Sequence, residues 1–466
     1  MGGLFLYGPP ASGKTTLGRL LAERFGVSFH DLDDEIVRAA GRPVREIFAA
    51  EGEPSFRRRE REALASLPAD GVVALGGGAL LDDSSRALAE SRGRVLFLDV
   101  PEAEIRRRVA KDGAVRPLGA TVLESRAAHY ASFPTRLSAH YPIDSGDAPS
   151  DVFVGCGLIA AVGDFASLAS LGGKCVVIAD SNTASPHGER VVSSLSSAGV
   201  PATLHVIPAG EATKNISTVS EIWRAFLSAG LGRRDFAVAV GGGVVGDMTG
   251  FAAACWMRGI PWMNVPTSLL SMVDASTGGK TGCDLPEGKN LVGAFHSPRL
   301  VVIDEETLST LPPRELRSGR AEWVKHDIIS GRRASTIAET LAVKVGVVRE
   351  DPLEKGVRAK LNLGHTVGHA LEIATNFSLS HGEAVAIGTV EEARLAARMG
   401  LAPDSWPGQV AAMFSAEGLP VSLPDGITFD SLRDQMARDK KQTTTRQVRF
   451  ALPCAMGDVR LVPIDV

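Results

Sequence analysis

The sequence has few cysteines, and their arrangement argues against two kinds of site. Five cysteines are scattered along 466 residues at Cys156, Cys175, Cys255, Cys283 and Cys454, and no pair is spaced C-x-x-C. An odd, dispersed set argues against a disulfide framework and against zinc held by thiolates. We expect these side chains to be small buried hydrophobic groups.

Long apolar runs and a surplus of basic residues are also missing. No uninterrupted apolar stretch approaches the ~20 residues that a transmembrane helix needs. The first ten residues, MGGLFLYGPP, show neither a basic n-region nor a cleavage site. The net charge is −4 with both signs interspersed, which is not the footprint of a nucleic-acid-binding protein. We therefore expect a cytoplasmic protein that binds small molecules and neither membranes nor nucleic acids.

The length predicts more than one domain, since single domains usually contain roughly 100–200 residues. Apolar strand candidates alternate with amphipathic helices up to about residue 145, which is typical of a parallel sheet with crossover helices. YPIDSGDAPSDV, at 141–152, is rich in turn residues and is typical of a linker. Strand candidates then resume, and beyond STLPPREL helical periodicity takes over. We predict three units: α/β at 1–148, α/β at 149–308 and mainly α at 309–466.

The first chemical motif is LFLYGPPASGKTT, a predicted strand, glycine loop and helix that fit G-x-x-x-x-G-K-[ST]. In a P-loop, backbone amides and the helix N-terminus cradle phosphates, the lysine reaches the β- and γ-oxygens, and the hydroxyl ligates Mg²⁺. The alternative is a glycine turn without a ligand. The predicted ATP contacts are Gly8, Pro9, Pro10, Ala11, Ser12, Gly13, Lys14, Thr15 and Thr16.

Residues after the P-loop indicate what accepts the phosphate. FHDLDDEI places Asp31 and Asp33 at a predicted strand end. One carboxylate can complete the Mg²⁺ shell while the other takes a proton from an acceptor hydroxyl, and helix capping is the alternative. The triple glycine of ALGGGAL, at 76–78, lets a ligand approach the backbone closely. AVRPLG places Arg116 in a loop that can close over the phosphates.

The P-loop, DLD, EGEPSFRRRE, LGGGAL and VRPL together resemble the shikimate kinase family over residues 1 to about 145. The resemblance implies Asp33 as the base, Asp31 with Thr15 on Mg²⁺, and Lys14 with the lid residue Arg116 as further catalytic groups, Arg116 also contacting ATP. The shikimate contacts that it implies are Asp33, Arg57, Gly76, Gly77, Gly78 and Arg136.

A second glycine motif, FAVAVGGGVVGDMTG, fits G-x-G-x-x-G through Gly241, Gly243 and Gly246. The acidic residue that normally follows about twenty positions later to bind a ribose is missing. This disfavours an ordinary Rossmann dehydrogenase, although the loop can still bind a dinucleotide. Asp180 and Asn182 of IADSN are alternative ribose or adenine partners.

A polar loop region supplies further candidates. SMVDASTGGKTGCDLPEGKN contains Asp274, Lys280, Lys289 and Asn290. Two lysines beside an aspartate and an asparagine suit an anionic, hydroxylated ligand. Lysines in glycine-rich loops that only face solvent are the alternative.

Histidines provide the candidate metal ligands. LNLGHTVGHALE places His365 and His369 four residues apart on one helix face, a spacing that metal-binding helices use. A packed or solvent-facing pair is the alternative. His381 opens the next predicted helix, and Glu322 lies on an earlier one. Two histidines and one carboxylate form a catalytic zinc set with positions open for substrate, but spacing alone does not decide which two histidines bind.

From VAVGGGVVGDMTG through KNLVGAFH, AEWVKHD, LNLGHTVGHALE and HGEAVAIG, residues 152–466 resemble the 3-dehydroquinate synthase family. The resemblance implies zinc on Glu322, His365 and His381, and catalytic roles for Asp274, Lys280, Lys325 and His369. It implies NAD contacts at Asp180, Asn182, Glu211, Lys214, Gly242, Gly243, Val244, Asp247, Thr267, Ser268, Lys280 and Lys289. The implied substrate contacts are Arg258, Asp274, Lys280, Asn290, Lys325, Lys344, Arg358, Asn362, His369, Lys440 and Lys441.

The leading hypothesis is a fused enzyme with a P-loop kinase domain built on a parallel sheet, a Rossmann-like α/β NAD-binding domain and a mainly helical metal-binding domain. It would phosphorylate shikimate with ATP and Mg²⁺, and convert a heptulosonate phosphate to 3-dehydroquinate with NAD and Zn²⁺ or Co²⁺. The synthase resemblance implies a homodimer. The alternatives are a P-loop small-molecule kinase fused to another sugar-phosphate cyclase or to a metal-dependent alcohol dehydrogenase, and a P-loop unit that only regulates.

Overall fold

The structure is a computed structural model that describes residues 2–68, 70–112, 121–144, 146–437 and 447–465. Three predicted contact residues, Arg116, Lys440 and Lys441, lie outside these ranges. Within the described residues, no helix combines the length and the apolar character that crossing a membrane requires.

Strands and helices alternate through the N-terminal third, as predicted. The strands β1, β3 and β4 are mostly buried apolar runs, as expected for parallel strands covered on both faces. The elements are β1 (Gly3–Tyr7), α1 (Lys14–Phe25), β2 (Phe29–Asp31), α2 (Leu32–Ala40), α3 (Val44–Ser66), β3 (Val72–Ala74), α4 (Asp83–Arg92), β4 (Gly93–Leu98), α5 (Glu102–Asp112), α6 (Thr121–Ala131) and β5 (Arg136–Ile143).

A second α/β region and then a mainly helical region follow, which confirms the predicted fold class. The α/β elements are β6 (Ser150–Cys156), α7 (Val162–Leu168), β7 (Cys175–Asp180), α8 (Glu189–Ser197), β8 (Ala202–Ile207), α9 (Ile216–Ala229), β9 (Phe236–Gly241), α10 (Gly243–Cys255), β10 (Trp262–Pro266), β11 (Lys280–Leu285), β12 (Gly288–Phe295) and β13 (Leu300–Asp304). The helical region contains α11 (Pro313–Ser330), α12 (Ile337–Glu350), α13 (His365–Ala374), α14 (His381–Arg398), α15 (Trp406–Ala416), α16 (Arg433–Ala437) and the hairpin of β14 (Gln447–Ala455) and β15 (Asp458–Asp465).

One continuous sheet runs through both α/β regions in the order β2-β3-β1-β4-β5-β6-β13-β10-β9-β7-β8. Neighbouring strands are parallel except at β5 and β6, which pair antiparallel. The strands of the N-terminal half therefore run opposite to those of the C-terminal half.

Strand β5 belongs to both halves of this sheet. It pairs with β4 at Phe97↔Arg136 on one side and with β6 at Ile143↔Ser150 on the other. Residues 141–143 and 150–152, the two ends of the stretch predicted to be a linker, thus lie in two paired strands. Turn residues at its centre produced the linker signal, but its ends pair with each other at Tyr141↔Val152, and β6 also pairs with the distant strand β13.

The junction is closed by a buried ion pair. Asp151 on β6 is 2% exposed; Arg24 Nε donates to its two oxygens at 2.8 and 2.9 Å, and His140 Nε2 lies 2.9 Å from it. A single apolar core beside the junction contains Leu6 and Leu96 from one half together with Phe153 from the other. The two halves therefore pack as one body around the shared strand.

Candidate functional site

The P-loop lies between the buried strand β1 and helix α1. Gly13 has φ 96°, a left-handed conformation that glycine tolerates, and it is the last loop residue before α1 begins at Lys14. Lys14 Nζ donates to the carbonyl oxygens of Gly8 and Pro9 at 2.8 and 2.9 Å. A cation and a helix N-terminus thus meet at one point, an arrangement that favours a bound phosphate.

Asp31 lies at the end of β2 and joins the predicted magnesium residues. Thr15 Oγ1 donates to Asp31 Oδ2 at 2.7 Å, and the amide of Asp33 donates to Asp31 Oδ1 at 3.1 Å. One oxygen therefore caps α2 while the other faces the P-loop, so capping and ligand binding are compatible at this residue. Desolvation in the cleft, followed by repulsion from Asp31, raises the pKa of Asp33, as suits a general base.

The triple glycine follows β3 and borders the same cleft. An ideal Cβ at Gly76 would lie 3.2 Å from Asp33 Oδ1, and one at Gly77 would lie 3.0 Å from Pro10 of the P-loop. The predicted base, the phosphate loop and the glycine segment are therefore in contact, as the motifs indicated. A side chain at Gly76 or Gly77 would crowd Asp33 or Pro10.

Two arginines face the glycine segment. An ideal Cβ at Gly78 would lie 2.6 Å from Arg57 Nη2 and 3.0 Å from Arg126 Nη1. Arg126 Nη1 also donates to Gly77 O at 3.1 Å. Two guanidinium groups at one point suit a carboxylate.

Arg136, the predicted second arginine for the carboxylate of shikimate, instead pairs with Asp99 through two hydrogen bonds of 2.8 and 2.9 Å. Arg126 was not predicted. Its signal in the sequence is RAAHY, in which Arg126 and Tyr130 are four residues apart on α6 and so share a helix face. Tyr130 OH likewise donates to Gly77 O, at 2.7 Å.

Glu322, His365 and His381 converge from α11, α13 and α14. Glu322 Oε1 lies 3.5 Å from His365 Nε2 and 3.3 Å from His381 Nε2, and the three ligand atoms lie within 4.8 Å of one another. Glu322 is 0% exposed. Spacing alone left open which two histidines bind a metal. The structure places His365 and His381 close enough to Glu322 for these three residues to act as one ligand set.

His369 lies beside this triad, with its ring centre 5.4 Å from that of His365 and 6.3 Å from that of His381. It also belongs to a second group of possible ligands with Glu372 and His381. The two groups share His381, so the structure brings all three predicted histidines into one site.

Glu372 orients His381 and was not predicted. Its Oε1 lies 3.1 Å from His381 Nδ1. Although burial lowers the pKa of His381, hydrogen bonds to Glu322 and Glu372 raise it to about 9. A cation bound by Glu322 and His381 would replace that proton. The sequence offered little to single out Glu372, because many acidic residues lie near the ends of predicted helices.

Asp274 gathers two buried lysines beside the triad. Lys344 Nζ donates to Asp274 Oδ1 at 2.6 Å, and Lys325 Nζ lies 3.8 Å from the same oxygen and also contacts Glu322. Burial favours a higher pKa for Asp274, but the charges of Lys325 and Lys344 outweigh it and hold the pKa well below its ordinary value. Burial lowers the pKa of Lys344 to about 8.

Arg358 completes a cationic group around this position. It is 2% exposed and donates to Gly278 O at 2.9 Å and to Pro352 O. Cations clustered next to two histidines and a carboxylate suit a polyanionic ligand that also approaches a metal.

The second glycine loop lies at the end of β9, where Gly242 caps α10. An ideal Cβ at Gly242 would lie 3.4 Å from Ser268 Oγ, and one at Gly243 would lie 3.4 Å from the Cβ of Ala275. Since Ala275 follows Asp274, the glycine loop reaches the cationic group. Val244 and Thr267 are the other residues near this loop that were predicted to contact NAD. The backbone amide of Thr267 donates to Gly241 O at 2.9 Å.

Polar side chains predicted to contact NAD are paired around this loop. Lys214 Nζ donates to Asp247 Oδ2 and to Asn290 Oδ1, both at 2.6 Å. Lys289 lies 3.2 Å from Glu211 and 3.6 Å from the metal-site neighbour Glu372. These contacts link the glycine loop to the histidine site.

Other predicted residues lie near these groups. Asp180, at the end of β7, accepts from the amide of Asn182 at 2.9 Å. Lys280 and Asn362 both contact Glu354, Asn362 at 2.6 Å. Arg258 is exposed in the short 3-10 turn that follows α10, with φ 69°, and no described contact joins it to the cluster.

The two sites open at opposite edges of the common sheet. The P-loop and the triple glycine follow the carboxyl ends of β1 and β3, and the second glycine loop follows that of β9. Ligands bind at the carboxyl ends of parallel strands, and strand direction reverses at β5 and β6. The two glycine loops therefore lie at opposite ends of the strands.

Comparison with known proteins agrees with this division. The shikimate kinase family matches residues 10–142, the N-terminal domain of 3-dehydroquinate synthase matches 204–318, and its C-terminal domain matches 304–442. The 3-dehydroquinate synthase of Synechococcus sp. is 41% identical over 70% of this chain and 95% of that protein. The Brucella ovis enzyme is 42% identical over 66% of this chain and 88% of that protein.

Two solved structures resemble the same part. One is 2-deoxy-scyllo-inosose synthase in complex with carbaglucose-6-phosphate, NAD⁺ and Co²⁺, with a TM-score of 0.64, 26% identity, and coverage of 70% of this chain and 97% of that one. The other is 2-epi-5-epi-valiolone synthase from Streptomyces hygroscopicus with NAD⁺ and Zn²⁺, with a TM-score of 0.61, 29% identity, and coverage of 71% and 96%. The family matches and the sequence identities show that this chain belongs to the 3-dehydroquinate synthase family and carries a shikimate kinase domain ahead of the synthase, as a fusion of two enzymes.

Proposed function

We propose that the N-terminal enzyme phosphorylates shikimate to shikimate 3-phosphate with ATP and Mg²⁺. We further propose that the C-terminal enzyme converts 3-deoxy-D-arabino-heptulosonate 7-phosphate to 3-dehydroquinate and phosphate with NAD and a zinc or cobalt ion. The observation that carries the proposal is the triad of Glu322, His365 and His381 beside the buried cations Lys325 and Lys344, in a chain 41% identical to a 3-dehydroquinate synthase.

In the kinase cleft, the residues suggest a division of labour. Asp33 accepts the proton of the attacking hydroxyl, and Lys14 neutralises the transferred phosphoryl group. Thr15 and Asp31 would hold the Mg²⁺ that accompanies ATP. Arg126, rather than the predicted Arg136, binds the carboxylate of shikimate together with Arg57, because both Arg126 and Arg57 face the glycine segment.

The donor set of the synthase site fits zinc or cobalt. Metal–ligand bonds of about 2.0–2.2 Å at tetrahedral angles put ligand atoms about 3.3–3.5 Å apart, and the Glu322 oxygen lies 3.3 and 3.5 Å from the two histidine nitrogens. The bound ion would supply a Lewis acid for a substrate hydroxyl, and NAD would take up and return a hydride. The solved relatives carry NAD⁺ with Co²⁺ or Zn²⁺.

Side chains of the chain itself bind and orient the substrate. Lys325, Lys344 and Arg358 attract its phosphate and carboxylate, and Asp274 holds the two lysines in place. His369 lies beside the triad and moves a proton to or from the substrate. Loss of water from this buried region strengthens each of these charge interactions.

Two further points belong to the proposal. The domain limits are 1–148, 149–308 and 309–466, with β5 completing the sheets of both enzymes. The synthase part forms a homodimer, and the protein works in the cytoplasm on small molecules, without nucleic acid or membrane partners.

Related cyclases are the second candidate, because the two solved structures are named 2-deoxy-scyllo-inosose synthase and 2-epi-5-epi-valiolone synthase, and the first holds carbaglucose-6-phosphate. Their identities of 26% and 29% are well below the 41% to a 3-dehydroquinate synthase, which favours the heptulosonate phosphate. A kinase specific for shikimate ahead of the synthase favours the same choice.

Two point variants of the full chain test both halves. Asp33→Asn should abolish ATP consumption with shikimate and leave phosphate release from the heptulosonate phosphate intact. His365→Ala should do the reverse and lose bound metal. Full kinase activity in Asp33→Asn would show that a different group is the base, and wild-type protein that consumes no ATP with shikimate would favour a P-loop that only regulates. Wild-type protein that releases no phosphate in the presence of NAD and zinc would exclude the synthase reaction.

A further inference from the structure

One buried carboxylate on α14 has no part in the chemistry above. Glu392 is 0% exposed, and its Oε2 accepts a hydrogen bond of 2.6 Å from the backbone amide of Gly364. Gly364 immediately precedes the triad residue His365. A carboxylate is costly to bury unless it is well hydrogen-bonded, so an acidic residue at this point calls for a role.

The peptide group between Leu363 and Gly364 joins Glu392 to His365. Its N–H donates to Glu392, and its carbonyl oxygen lies 3.0 Å from His365 Nδ1. Because a carbonyl oxygen only accepts hydrogen bonds, Nδ1 carries the proton and Nε2 keeps its lone pair. His365 Nε2 is the atom that faces Glu322, at 3.5 Å. A planar, rigid peptide thus links the carboxylate to the ligand nitrogen.

Close packing of α13 against α14 fixes the same peptide from its other side. Gly364 has φ 78°, and a Cβ on it would collide with Thr389 Oγ1 and Val385 O of α14. About three helical turns separate Glu392 from His381, the first residue of α14. One helix therefore supplies a ligand at its start and holds the peptide of the second ligand further along.

We propose that Glu392 is a positioning residue for the metal site, acting on His365 through the Leu363–Gly364 peptide. The inference rests on the proposed function, since it requires the triad to bind a metal. Partners that orient ligand histidines typically change metal affinity by about 10–100-fold.

Glu392→Met in the full-length protein tests this role without any assay of turnover. The variant should bind Co²⁺ about tenfold more weakly or worse by chelator competition, and the Co²⁺ d–d absorption should change because His365 is no longer held. Glu392→Asp keeps the charge, but its shorter side chain moves the carboxylate away from the Gly364 amide, so it should also weaken Co²⁺ binding. If the Met variant does not fold, the Co²⁺ affinity of the Asp variant tests the role in its place. Glu392→Gln keeps an acceptor at the same reach and should lie closer to wild type.

Glu391→Met is the matched control. Glu391 is the residue immediately before Glu392 on α14, is 4% exposed and pairs with Arg394, so its loss should leave Co²⁺ affinity and spectrum unchanged. Equal effects of Glu391→Met and Glu392→Met, wild-type binding in Glu392→Asp, or a Gln variant as weak as the Met variant would overturn the role. Wild-type protein that binds no Co²⁺ would instead overturn the metal site itself, and this role with it.

Discussion

Lys344 is buried beside Asp274, and its pKa of about 8 should set the upper pH limit of the synthase. An ordinary lysine has a pKa of 10.5, so the difference corresponds to about 3 kcal/mol against the charged form. Burial is the main cause, and the nearby cations Lys325 and Arg358 add to it, while Asp274 opposes it. The cation is therefore present below pH 8 and is lost as pH rises through that value.

We expect this loss to appear in kcat/KM for the heptulosonate phosphate, because that parameter reports ionisations of the free enzyme. A single lysine with a pKa of about 8 is roughly 90% charged at pH 7 and roughly 10% charged at pH 9. The rate constant should therefore fall about tenfold per pH unit above pH 8. Phosphate release measured from pH 6.5 to 9.5 gives the profile.

Lys344→Arg is the diagnostic variant, since guanidinium stays charged throughout this range. Its profile should lose the alkaline fall even if its maximum is lower. Kinase activity of the same protein is an internal control, because the kinase cleft opens at the other edge of the sheet and should keep its own pH profile. A wild-type kcat/KM that stays flat to pH 9.5, or an unchanged fall in Lys344→Arg, would refute the assignment.

Three further predictions concern the other residues and the junction. His369→Ala should keep one metal per chain by elemental analysis and lose most phosphate release, and loss of metal would show that His369 is itself a ligand. Arg126→Ala should raise the KM for shikimate about 10–100-fold, in line with about 1.5–3 kcal/mol for a charged hydrogen bond, and should leave the KM for ATP unchanged. A larger rise in the KM for shikimate from Arg136→Ala would show that Arg136 is the carboxylate-binding residue instead. A fragment 149–466 should be insoluble, because removal of β5 exposes the edge of β6. A fragment 135–466, which keeps β5, should fold and release phosphate. Equal solubility of the two fragments would show that β5 is dispensable to the synthase.

The opposite orientation of the two sites bears on why the enzymes are fused. Strand direction reverses at β5 and β6, so the kinase and synthase clefts do not share an opening. Fusion in this chain provides a shared strand and a common core between the two enzymes. We expect the fusion to stabilise the folds of the two enzymes. We expect their substrates and products to reach and leave each cleft through solvent.

Local motifs were predictable because their chemistry is encoded in short stretches. GPPASGKT specifies a tight loop before a helix, and the structure has that loop between β1 and α1. DLD places Asp31 within reach of Thr15, since both lie beyond the carboxyl ends of strands of the same parallel sheet, β2 and β1, which β3 separates. HTVGH placed two histidines on one helix face, as α13 shows.

Residues whose partners lie far away in sequence were harder to predict. Arg126 and Arg136 are both near the end of the kinase unit, and only the packing of α6 on the glycine segment distinguishes them. Glu372 and Glu392 look like ordinary helix carboxylates until α13 and α14 pack together.

The sequence by itself determined the phosphate loop, the glycine loop, the candidate ligands and the order of the three units, because each depends on residue type and on separations of a few residues. Only the tertiary structure decided that β5 serves both enzymes, that the clefts face opposite edges, and that Glu322 lies beside His365 and His381. Strand pairing and helix packing join residues up to nearly two hundred positions apart, as in the hydrogen bond from Tyr141 to Ala338 O. Such contacts follow from the burial of apolar faces over the whole chain, and local spacing contains no record of them.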